Sequence, residues 1–194
     1  MAKINGVVKD HKGKILENAE VLFVDRASNV LASGYSNKDG EYYLQISEKT
    51  NGMVVGTYSY GEEYLAFIFD NISTHLPHHI DIIVGDVEFL QFRRIITKDR
   101  EKYICSFQLA SLSKMKRGKV HLSPEGAEAS LQFRLDGKLM KAYNLTKEKL
   151  SVEGRGNTID SWTLSFACNP KDRGKVLELI FMDEDSYGML KSYV

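Results

Sequence analysis

Three of the five histidines fall within one short segment, His75-Leu76-Pro77-His78-His79. Neutral imidazoles at this density ligate zinc or nickel. His75, His78 and His79 are therefore candidate metal ligands, and a metal-dependent enzyme or metal-binding protein is the alternative function they suggest. The competing reading is a polar loop, shaped by Pro77, that leads into a strand. No CxxC or HExxH companion accompanies the segment. A second constellation is aromatic. Tyr58 and Tyr60 share a face at strand spacing, and Tyr64 follows the turn Gly61-Glu62-Glu63. Exposed tyrosines stack on sugar rings, so Tyr58, Tyr60 and Tyr64 are candidate ligand-binding residues. The same spacing also suits ordinary cross-strand core pairs. Basic stretches at Arg93-Arg94, Lys98 to Lys102 and Lys114 to Lys119 are interrupted by acids and lack interleaved stacking aromatics, which argues against nucleic acid as a partner. No GxSxG, P-loop or dinucleotide fingerprint is present, and no cofactor is expected.

The elements that must position these residues read almost entirely as strands. Glu41-Tyr42-Tyr43-Leu44-Gln45-Ile46 alternates, with Tyr42, Leu44 and Ile46 on one face. Met53 to Tyr60 and Tyr64 to Phe69 are rich in β-branched and aromatic residues, and Ile80, Ile82 and Val84 again share a face. Turn signals stand between them at Lys12-Gly13, Asp39-Gly40, Asn51-Gly52 and Tyr60-Gly61. The second half repeats the pattern over Val87 to Thr97, Tyr103 to Leu109, Ala129 to Leu135, Trp162 to Cys168 and Val176 to Met182. Only Leu145 to Leu150, with Asn144 or Thr146 as a cap, suits a short helix.

The chain of 194 residues is neutral overall but polarised. Residues 1–90 hold 7 Lys and Arg against 13 Asp and Glu, a net of −6, and the remainder carries +6. An acidic half can meet a basic half within one molecule or head to tail between molecules. No apolar run is long enough for a transmembrane segment. The N-terminus lacks the apolar core of a signal peptide, which implies the cytoplasm unless a leader has been removed, in which case the cell surface or periplasm follows.

The first 84 or so residues resemble the carboxypeptidase regulatory-like family, which are transthyretin-like (prealbumin-like) sandwiches. The resemblance rests on Gly6-Val7-Val8-Lys9-Asp10 with Gly13, Asn18-Ala19-Glu20-Val21, Ser36 to Tyr42 and Ile80 to Val84. It implies a fold and little about activity. Some transthyretin-like proteins hydrolyse hydroxyisourate, using a histidine on the first strand and a closing Tyr-Arg-Gly-Ser motif. Here Val7-Val8 stands at the first place and the motif is missing, so that activity is not expected. The second half resembles a bacterial immunoglobulin-like or fibronectin-like sandwich, most visibly in the last hairpin from Leu179 to Gly188. That resemblance is compatible with an inter-sheet pair between Cys105 and Cys168, but Trp162 sits just before the second cysteine and not between them on an early strand. Two buried free thiols are the default.

The sequence therefore predicts an all-β chain of two β-sandwich domains, residues 1–85 prealbumin-like and 86–194 immunoglobulin-like. With no flexible linker, the two should pack closely or share a strand. The expected role is a non-catalytic binding or assembly module, not an enzyme, that recognises a protein or carbohydrate or self-associates head to tail.

Overall fold

The computed structural model describes residues 2–47, 49–97, 101–152, 154 and 156–194, with the Ile96 side chain also left aside. Lys98, Asp99 and Arg100 of the second basic stretch thus lie outside the described residues. The protein is all-β. In chain order its strands are β1 (Ala2–Asp10), β2 (Glu20–Asp25), β3 (Val30–Tyr35), β4 (Glu41–Ile46), β5 (Asn51–Thr57), β6 (Phe67–Ser73), β7 (His78–His79), β8 (Ile82–Val84), β9 (Val87–Ile96) and β10 (Lys102–Ser111). Two short helices follow, α1 (Leu112–Lys116) and α2 (Ala127–Ser130). The chain then forms β11 (Leu131–Leu135), β12 (Lys138–Leu139), β13 (Asn144–Ser151), β14 (Thr158–Ala167), β15 (Val176–Met182) and β16 (Tyr187–Tyr193). Among the described residues, no helix is long and apolar enough to cross a membrane.

Alternation of side chains explains the layering. Ile4 and Val8 of β1 and Tyr42, Leu44 and Ile46 of β4 point inward, as period-2 burial requires. β1 is central in its sheet: it pairs antiparallel with β4 and parallel with β7 and β8. A second sheet runs β13-β14-β10-β9. Between them lies an eight-stranded sheet, β12-β11-β15-β16-β6-β5-β2-β3, which takes strands from both halves of the chain. Its join is the parallel pair β16–β6, with Leu190 opposite Ile68 and Ser192 opposite Asp70.

Two cores result. Ile4, Val21, Phe23, Phe67, Phe69 and Ile82 belong to the first. Phe89, Phe107, Phe133, Trp162, Leu179 and Leu190 belong to the second. Met189 and Tyr193 of β16 pack on the first core, whereas Leu190 packs in the second. Successive strand residues face opposite ways, so the two covering sheets lie against opposite faces of the shared sheet.

Gly85 and Gly188 mark a tight crossing. A Cβ on Gly85 would lie 1.9 Å from the Tyr187 carbonyl oxygen, and one on Gly188 would lie 2.2 Å from that of Val87. Asp86 fastens the same crossing by accepting from the Tyr187 amide and the Ser186 hydroxyl, each at 2.9 Å.

Several local expectations change. Leu145 to Leu150 is not a helix but lies within β13, paired with β14 from Asn144 opposite Ser165 to Ser151 opposite Thr158. The open edge of β14 overrides the helical preference of Lys147, Glu148 and Lys149, and the Lys147 ammonium sits 5.3 Å from the centre of the Trp162 ring. The strand expected from Ala129 starts at Leu131, because Ala127–Ser130 close a helical turn. Cys105 and Cys168 are buried, free thiols.

Candidate functional site

The histidine segment divides its side chains. His75 is exposed beyond the end of β6, and His78 and His79 form β7. Being adjacent on a strand, His78 and His79 point to opposite faces. His78 turns inward: Nε2 lies 2.8 Å from the Ser73 carbonyl oxygen, and its ring packs 5.8 Å from that of Tyr193. His79 turns outward, with Nδ1 2.9 Å from Asn5 Oδ1 and Nε2 3.4 Å from Asp81 Oδ1. Among the described residues, no group of three or more His, Cys, Asp and Glu side chains is placed to hold a metal ion.

The three sequence-predicted tyrosines do come together, at the seam between the halves. The rings of Tyr58 and Tyr64 are 5.9 Å apart. The Tyr60 hydroxyl donates to Glu88 at 2.9 Å, and that of Tyr64 donates to Asp10 at 3.2 Å. Burial raises the Glu88 carboxyl above the usual glutamate range, and the Tyr60 hydroxyl and Ala66 amide offset this only in part. Tyr60 is pushed up to about 12 by burial and by the Glu88 charge. Burial also pushes the Asp10 carboxyl up, but the Lys14 and Lys12 amides and the Tyr64 hydroxyl prevail and leave it below the ordinary value. The Tyr60 hydroxyl thus ties the first half to β9 across the seam, whereas that of Tyr64 fastens its loop to the end of β1 within the first half.

A different group of side chains forms an open groove of about 570 Å³ on the outer face of the β4-β1-β7 sheet. Strand register builds it. Asn5 of β1 stands opposite Tyr43 of β4 on one side and His79 of β7 on the other. Side chains opposite one another share a face, so Tyr43, Asn5 and His79 make one row across three strands. Tyr35, at the end of β3, and Asn37 and Glu41, around the next turn, join the lining, as do Gly6 and Val7 of β1 and Tyr42 of β4. Tyr43 is 49% exposed and Tyr35 64%. The polar members are held in place. Asn37 Oδ1 accepts from the Asp39 and Glu41 amides, both at 2.9 Å, and Asn37 Nδ2 donates to the Glu41 carboxylate at 3.2 Å. Asp81, behind His79, accepts from the Val7 amide at 3.1 Å. Underneath, the Tyr42 hydroxyl donates to the Ile80 carbonyl at 2.8 Å.

Of the residues that line this groove, only His79 is among the candidate site residues the sequence suggests. Its available signal was the alternation of β4: with Tyr42 and Leu44 inward, Tyr43 had to face out, an aromatic ring on a polar face. A second open groove, of about 580 Å³, lies on the outer face of the other covering sheet beside Arg93, Gln108 and Ser161. Among the described residues its only aromatic lining residue, Phe107, is 1% exposed.

No protein-family model matches the chain, and no curated protein matches it. Among solved structures, the major pilin subunit of Bacillus cereus aligns over 98% of this chain and 67% of its own, at 10% identity and a TM-score of 0.33. A substituted form of that pilin gives 11% identity and a TM-score of 0.34 over the same shares. At these values the likeness carries no argument about fold or role.

Proposed function

We propose that this protein is a non-catalytic binding module that presents the outer face of its β4-β1-β7 sheet to a protein or carbohydrate partner. The observation that carries the reading is the row Tyr43–Asn5–His79, in which an exposed ring and two polar side chains are aligned by strand register on a buried, two-core body. Rigid strands hold such a constellation better than loops do. We read residues 1–85 as a carboxypeptidase regulatory-like sandwich and 86–194 as an immunoglobulin-like one. The separate cores support that division, as does Gly40, whose φ of +75° suits the tight turn the first resemblance requires.

The test is binding of immobilised protein to panels of oligosaccharides and peptides by surface plasmon resonance. A saturable interaction lost in Tyr43→Ala supports the reading. Saturable turnover of a substrate, abolished by substitution of His75, His78 or His79, overturns it, as does stoichiometric metal in protein made without a histidine tag.

A further inference from the structure

We infer that the β4-β1-β7 groove is a binding site for a neutral oligosaccharide. The inference rests on the binding-module reading and names the ligand class of that site.

A pyranose ring has two demands. Its C–H face needs an aromatic platform, and its hydroxyls, each donor and acceptor, need polar partners of both kinds. The groove meets the first with Tyr35 and Tyr43, residues that are 64% and 49% exposed although the adjacent Tyr42 is 3% exposed. It meets the second with the amides of Asn5 and Asn37, the His79 imidazole and the Glu41 carboxylate. The groove volume of about 570 Å³ lies within the roughly 300–1,000 Å³ usual for small-molecule sites.

Charge narrows the class. Glu41 lines the groove and Asp81 stands 3.4 Å behind His79, so a ligand carrying carboxylate or sulfate would meet like charge. Preorganisation narrows it further. Asn37 is fixed by two amide donors and the Glu41 carboxylate, and Asn5 by His79, so little side-chain freedom is lost when hydroxyls replace water. A protein partner, by contrast, needs about 800 Å² of contact with an apolar centre. The lining here is polar apart from its tyrosine rings and Val7.

The experiment uses the full chain against a glycan array holding neutral, sialylated and sulfated glycans, followed by calorimetric titration with the neutral oligosaccharide that gives the strongest signal. Binding to neutral glycans is expected. Tyr43→Ala and Tyr35→Ala should each weaken it about tenfold or more, the factor equivalent to about 1.4 kcal/mol. Tyr43→Phe should retain it, because the ring and not the hydroxyl is used. Both tyrosines are exposed, so melting temperatures of these variants should match the parent. Three results would overturn the inference: no neutral glycan bound at millimolar concentration, binding undiminished in the Tyr35→Ala/Tyr43→Ala double variant, or binding confined to acidic glycans. If a peptide or protein binds instead and is lost in that double variant, the binding-module reading survives and the carbohydrate inference falls.

Discussion

Asn71 offers the sharpest test of how the two halves are joined. It lies in a β-bulge of β6, where Asp70 and Asn71 together face Met53 of β5, and its φ is +61°. Its Nδ2 donates to the Tyr193 carbonyl at 2.9 Å, and its Oδ1 accepts from the Arg94 guanidinium. Arg94 also pairs with Asp70 at 3.2 Å, the two side chains being 19% and 28% exposed. Asn71→Ala loses three things. A left-handed backbone costs alanine about 1 kcal/mol more than asparagine. The neutral hydrogen bond to Tyr193 is worth about 1 kcal/mol, and the charged one from Arg94 about 1.5 kcal/mol after allowance for partial exposure. The expected loss is about 3–4 kcal/mol, and Asn71→Gly, which keeps the backbone freedom, should lose about 1 kcal/mol less. In urea, with m near 2 kcal/mol/M, Asn71→Ala should lower the midpoint by about 1.5–2 M.

Two probes then decide the mechanism. Far-UV circular dichroism follows all strands, and fluorescence follows Trp162, the only tryptophan, buried in the second core. Asn71 belongs to the first half, yet β6 and β16 share a sheet, so both probes should shift together. A shift in circular dichroism without one in Trp162 would show that the halves unfold separately. A shift below about 0.3 M in both would show that the clamp holds little energy.

Other outcomes follow from the same geometry. Glu88 has a raised carboxyl pKa in the fold, so its contribution is fully present below the ordinary glutamate value and is lost as pH rises through the folded one. Glu88→Gln keeps an acceptor for Tyr60, and its melting temperature should gain on the parent between pH 4 and pH 7; a constant difference would refute this. Gly85→Ala forces a Cβ against the Tyr187 carbonyl and should cost about 3 kcal/mol or more, seen as a lowered melting temperature or loss of soluble protein. Cys105 and Cys168 are buried with raised thiol pKa values, so a thiol reagent should label neither at a measurable rate in native protein and both in urea. The acidic–basic polarity predicts that any self-association seen by sedimentation weakens as salt rises; association that strengthens would exclude a head-to-tail ionic contact.

Period-2 alternation made much of the strand content legible. Tyr42, Leu44 and Ile46, or Trp162, Leu164 and Phe166, announce both strand and inward face, and the structure buries all six. Where the pattern was charged, as in Lys147-Glu148-Lys149, helix propensity pointed the wrong way, because only the unpaired edge of β14 decides that segment. Val30 to Tyr35 carries too little apolar alternation to announce β3, which forms by pairing with β2. The groove was legible only at His79. Its row joins Asn5, Tyr43 and His79, which become neighbours through registers that no local pattern encodes. Tyr60 and Tyr64 take carboxylate partners, Glu88 and Asp10, that come from distant strands and that no local pattern announces.

The parallel pairing of β6 with β16 also sets a timetable. β6 opens with Phe67-Ile68-Phe69, and its partners on one side lie 122 residues further along the chain, Leu190 opposite Ile68. At a synthesis rate of about 5–20 residues per second, that edge leaves the ribosome roughly 6–24 s before β16 does. Throughout that interval a nascent chain carries an apolar strand with one row of unpaired amides and carbonyls, a template for any neighbouring copy. Slowing translation between residues 74 and 186 should therefore lower the soluble yield without changing the stability of the molecules that do fold.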